Sequence, residues 1–81
     1  MAIRQVEVIV GHSPTGKLTP LRFRIEGRAI NVGRILSSEE QKSAGTVMIC
    51  YDIESVVDDH MHRYQLKFDK KATKWYFIGG N

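Results

Sequence analysis

The sequence predicts an all-β domain of about six short antiparallel strands, folded as a strongly bent sheet or a small barrel of the SH3 or OB kind. Three observations carry that prediction. Apolar and polar residues alternate along most of the chain, turn formers separate the alternating runs, and no long stretch repeats with the period of a helix. Curling follows from physics, because a flat sheet of this size would expose edges that invite other strands.

The elements follow in order. Val6, Val8 and Val10 alternate with Glu7 and Ile9, a β-branched run that reads as a strand with one apolar face. Residues 11–17 are dense in glycine, proline and hydroxyls and read as a loop. Pro20, which has no amide to give a central ladder, marks the border of the next strand. There Leu21, Phe23 and Ile25 face one way while Arg22, Arg24 and Glu26 face the other. Gly27 takes a positive φ at little cost and turns the chain tightly into Ile30 and Val32. The pattern slips at Gly33 and Arg34, as at a bulge or bend. Residues 37–45 admit two readings: Ser37 or Ser38 caps one short helical turn over 38–43 that Gly45 ends, or the segment is a loop. Val47, Ile49, Tyr51 and Ile53 then mark a long strand, and Asp58-Asp59 a turn. Tyr64, Leu66 and Phe68, followed after residues 70–74 by residues 75–78, form a terminal hairpin closed by Gly79 and Gly80. Ile9, Ile35, Met48 and Tyr76 fall off the apolar faces so assigned and offer a surface to another chain.

Composition bounds the rest. At 81 residues one core is the only arrangement, so residues 1–81 are read as a single domain. A chain 42% hydrophobic and 26% charged is ordinary for a globular protein, which excludes disorder and fibrous repeats. Cys50 is the single cysteine, so no disulfide forms within the chain and a reducing compartment fits best. The start Met1-Ala2-Ile3-Arg4-Gln5 has no apolar leader region, and no apolar run approaches a membrane span. The expectation is a cytoplasmic protein. A formal charge of +3 and a pI near 9.2 are compatible with nucleic acid but fall short of the like-charge blocks that compel it.

Motifs for chemistry are weighed against plainer readings. Gly11-x-x-x-x-Gly16-Lys17 follows a strand but departs from a phosphate-binding P-loop: Leu18 stands where Ser or Thr holds magnesium, and Thr19-Pro20 leads into a strand where a helix is needed. Asp58, Asp59, His60 and His62 are the densest set of possible metal ligands, the imidazoles sharing a strand face at i, i+2. A structural zinc takes four protein ligands and a catalytic one three, so neither a metal nor another cofactor is read. Cys50 sits inside a strand pattern without an oriented base, and Glu39-Glu40 and Asp58-Asp59 lie in solvated segments with no cause for a shifted pKa. No enzymatic activity is expected.

What remains is the solvent face. Arg22 and Arg24 project together, Arg28 and Arg34 are read on the paired strand, and Lys67, Lys70, Lys71 and Lys74 decorate the last hairpin. With Tyr64, Trp75 and Tyr76 as stacking groups, this set resembles the surfaces of β folds that hold single strands. The plainer reading is that exposed arginines keep a sheet soluble and guard its edges. The expectation is a non-enzymatic binding module that contacts nucleic acid, or a nucleic-acid-processing protein, through a basic β face. The alternative is a protein-interaction or self-assembling domain that pairs an exposed strand edge with another chain. A small-molecule ligand is not expected.

Pro20, Phe23, Ile25, Gly27, Arg28, Ile30 and Val32, with a closing Lys74-Trp75-Tyr76-Phe77, resemble a small bacterial β domain of unknown function over about residues 20–78. That domain occurs alone and appended to relatives of Y-family polymerases. Ile25 stands where the family tends to have Trp, and Ile30 where it tends to have Tyr. The resemblance implies an accessory binding role near DNA transactions and carries over no catalytic residue.

Overall fold

The computed structural model describes residues 3–80; Met1 and Ala2, on which the reading of a leaderless start partly rests, lie outside the described residues with Asn81. Seven strands follow one another: β1 Arg4–His12, β2 Leu18–Ile25, β3 Arg28–Asn31, β4 Arg34–Ser43, β5 Thr46–Val57, β6 His60–Asp69 and β7 Lys74–Gly80. All pair antiparallel in one strongly curled sheet of order β3-β2-β1-β7-β6-β5-β4, a half-barrel. The chain is all-β, as its alternation predicts. Among the described residues no helix is long and apolar enough to cross a membrane.

Local chemistry explains the hairpins. Glu26-Gly27, Ala44-Gly45 and Asp58-Asp59 each place two consecutive residues at positive φ, the mirror-image turn whose twist matches that of the flanking strands. The turn expected at Gly27 and the one expected at Asp58-Asp59 are both present.

Two expectations about the middle of the chain are corrected. Residues 38–43 form neither a helical turn nor a loop but most of β4, which pairs with β5 from Arg34 opposite Glu54 to Ser43 opposite Thr46. A polar sequence suffices there because β4 is an edge strand: the ladder to β5 satisfies one side of its backbone and solvent the rest, so little burial is needed. The bulge falls between Ile35 and Ser37, slightly beyond the expected Gly33-Arg34, and puts Ile35 opposite Ile53 and against the core. Arg34 accordingly belongs to β4 and not to the strand paired with β2. Pro20 lies within β2, fully buried opposite Val10, next to a register shift and beyond the reach of β3.

The curl is closed by two residues. β3 and β4 are the opposite edges of the sheet, yet only Val32 and Gly33 separate them, which limits the gap to about 11 Å of extended chain. The Val32 amide donates to the Leu21 carbonyl of β2 at 2.9 Å, and the next amide, that of Gly33, donates to the Glu54 carbonyl of β5 at 2.8 Å. One dipeptide thus ties together the two ends of the sheet.

Inside the curl lie Phe23, Ile30, Tyr51, Ile53, Leu66, Trp75 and Ile78, all buried. Two aromatic groups fill it. Phe23, Tyr64 and Phe77 pack at centroid distances of 5.6–5.9 Å, with His62 stacked on Tyr64; Trp75 joins Tyr51 at 5.4 Å and Phe68 at 4.8 Å.

Candidate functional site

The hairpins turn at two ends. At one, the clasped end, lie the β2–β3 turn and the β5–β6 turn, with the dipeptide between β3 and β4, which run the same way, meeting β5 at Glu54, nearer its β6 end; at the second lie the β1–β2 loop, the β4–β5 turn and the β6–β7 turn. The second end is open. A groove of about 400 Å³ enters the half-barrel there, floored by Leu18, Ile49, Tyr51 and Phe68. Gly16 and Lys17 stand on one wall, Ser38, Glu39 and Glu40 of β4 on the other, with Lys70 at the rim. The Tyr51 hydroxyl crosses the interior and donates to the Leu18 carbonyl at 2.9 Å. Burial pushes the Tyr51 phenol above its ordinary pKa, so the group stays neutral and donating.

The basic residues sort by end. Of the six lysines, all but Lys67 belong to the mouth. Lys17 and Lys70 line the groove, Lys71 lies in the β6–β7 turn, and Lys74 begins β7. Lys42 sits opposite Val47, whose carbonyl accepts the Lys70 amide at 3.1 Å. Glu40 lies 3.8 Å from Lys70, both side chains half exposed, which makes a weak tie. Asp69 is occupied in shaping the turn, accepting from the amides of Lys71 and Ala72.

Arginines hold the clasped end. Arg28 donates to Asp58 at 2.7 Å, joining the β2–β3 and β5–β6 turns; Arg4 pairs with Glu26, and Arg34 reaches Glu54 at 3.2 Å. The hydrogen bond and charge of Arg28 hold the Asp58 carboxyl below its usual range, and Asp58 in turn raises Arg28.

The expected basic set is therefore divided. Arg22 and Arg24 lie together on the outer face of β2, Arg22 donating to Asn31 at 2.7 Å and Arg24 placed beside Glu7 of β1. Lys67 is on the outer face of β6 opposite Tyr76 of β7. Lys70, Lys71 and Lys74 gather at the mouth, whereas Arg28 and Arg34 are taken up in ion pairs at the far end. One continuous face holding all eight does not form. Of the stacking groups, Trp75 is core, Tyr64 is half-buried inside and Tyr76 lies on the outer face.

The metal candidates are dispersed in the same way. Asp58 takes Arg28 and His62 stacks on Tyr64, and among the described residues no three of His, Cys, Asp and Glu gather as a metal requires. In the loop of the P-loop-like motif, the amides of Ser13, Gly16 and Lys17 are spent on the Lys17 carbonyl, the Ser13 carbonyl and the Ser13 hydroxyl. Partial burial pushes the Cys50 thiol up, against the pull of Lys67, which disfavours a thiolate.

Lys17, Lys42 and the aromatic floor were not among the expected site residues. The signal for Lys42 was the length of β4: once residues 38–43 form a strand, the Ala44-Gly45 turn carries Lys42 beside Val47 and so beside Lys70. The chain matches no family model, and no curated protein or solved structure matches it.

Proposed function

We propose that this domain is a non-enzymatic binding module for single-stranded nucleic acid, which it receives at the mouth of the half-barrel. One observation carries the reading: Lys17 of the β1–β2 loop and Lys70 of the β6–β7 turn line a groove with an apolar and aromatic floor, and Lys42, Lys71 and Lys74 belong to the same end. Lysines supply mobile, solvated charge for phosphates, while an apolar floor accepts the flat face of a base. Arg22, Arg24 and Lys67 extend the positive field along the outer face, and Arg28 and Arg34 serve structure. The resemblance of residues 20–78 to an accessory domain near DNA transactions supports the same reading, as does a lone cysteine suited to a reducing, cytoplasmic setting.

Fluorescence anisotropy of the 81-residue chain with labelled single- and double-stranded oligonucleotides at two salt concentrations tests it. Binding should prefer the single strand and weaken steeply with salt, because lysine–phosphate contacts release counterions. Replacing both Lys17 and Lys71 by Glu should cost at least about tenfold in affinity and lower the salt slope, while Arg28→Ala leaves both unchanged. No binding at low salt removes the proposal.

A further inference from the structure

The two edges of the sheet are unequal. β3 is four residues long and packs against β5, whereas β4 is ten residues long and pairs with β5 alone among the described strands, leaving one full row of its backbone groups outside any ladder. Such a row is a template for another strand unless proline, a bulge or charges of one sign guard it. After its bulge β4 runs regularly from Ser37 onward, contains no proline, and carries charges of both signs.

We propose that the occupant of this edge is a second copy of the chain, joined antiparallel through β4 about a two-fold axis at Gln41. Register selects that centre. Pairing with β5 puts Glu39 and Gln41 on the outer face, opposite Cys50 and Met48, and Glu40 and Lys42 on the inner face, opposite Ile49 and Val47. A two-fold axis normal to the joined sheets sets inner residues against inner and outer against outer, so the axis passes through a residue and not between two. Centred on Glu39 or Glu40 it opposes two carboxylates, and on Lys42 two ammonium groups, each unfavourable at directly opposed positions. Centred on Ser37 or Ser38 it drives the ladder into the bulge at Leu36. Centred on Gln41, the two Gln41 amides meet and Glu40 of each copy faces Lys42 of the other, giving two attractive pairs.

Sedimentation velocity of the 81-residue chain over a wide concentration range, at low and moderate salt, tests the inference. Native protein should pass from monomer to dimer with concentration. Lys42→Glu and Glu40→Lys should each weaken the dimer at least about tenfold by opposing like charges, and the double exchange Glu40→Lys with Lys42→Glu should restore it. Both positions are exposed, so circular dichroism should show all variants folded alike. A monomer at every concentration overturns the inference, and so does a dimer indifferent to the single reversals. Either outcome is independent of nucleic-acid binding, which anisotropy reads separately.

Discussion

The two ends of this half-barrel use opposite chemistry for the same sign of charge. At the clasped end three arginines face carboxylates on neighbouring turns and strands, Arg4 with Glu26, Arg28 with Asp58 and Arg34 with Glu54. At the mouth they are lysines, in looser company with carboxylates, around an apolar floor. A guanidinium is planar and weakly hydrated and suits fixed pairing, whereas an ammonium on a flexible stem keeps its water and its freedom. The contrast teaches that net charge says little about a binding surface until the partners of each cation are known. Among the described residues, one end holds three arginines in ion pairs, and the other carries lysines whose one ion pair is the weak tie of Lys70 to Glu40.

Three substitutions break or sharpen that contrast. The largest effect is expected at the clasp itself. A methyl group added at Gly33 would sit 3.0 Å from the Glu54 carbonyl oxygen, a backbone atom that cannot swing aside and that already accepts the Gly33 amide. Gly33→Ala should therefore lower stability by about 1–3 kcal/mol in urea unfolding, the usual range for overpacking. A variant as stable as native would mean that the clasp does not hold the curl.

At the mouth, Tyr51→Phe removes the one hydroxyl that crosses the groove to Leu18 and should cost about 1 kcal/mol. Because burial raises the phenol pKa in the folded state, its contribution is present below the ordinary value near 10 and is lost as pH rises through the folded value. The native protein should thus lose stability in alkali in a way that the Phe variant lacks, and parallel alkaline profiles would contradict the assignment.

The smallest effect belongs to the exposed pair. Asp58 has a depressed folded pKa, so its contribution is present above the ordinary value of about 3.9 and disappears as pH falls through the lower folded value. Arg28→Ala should change stability little at neutral pH, less still in high salt, and converge with native below that folded pKa. A large loss at neutral pH would show that the pair, and not the backbone clasp, closes this end.

Much of the fold was legible in the sequence because strands with one buried face write their period directly into it. Phe23 and Ile25 against Arg22 and Arg24, or Tyr51 and Ile53 against Asp52, leave little choice, whereas Leu21, expected on the same face as Phe23, is exposed because the register shift against β1 falls there and turns Pro20 inward. β4 was not legible, since neither face of Glu39, Glu40, Gln41 and Lys42 is buried and the strand exists only because β5 offers its backbone. The site was half legible. Lys70, Lys71 and Lys74 stood out as a cluster, but Lys17 and Lys42 joined them only through the pairing of distant strands.

The sequence by itself determined an all-β chain, the Gly27 and Asp58-Asp59 turns and most of the core's apolar residues, with Val10, Leu21 and Ile35 changing face at the bulges, because these depend on local conformational preference and on a period of two. Only the tertiary structure decided that Val32 and Gly33 clasp the two sides of the sheet, that Arg28 and Arg34 are consumed in ion pairs, and that the lysines gather at one open end. The physical reason is that strand order and curl are set by pairing between segments far apart in the chain, and no local pattern records which cation will meet which carboxylate.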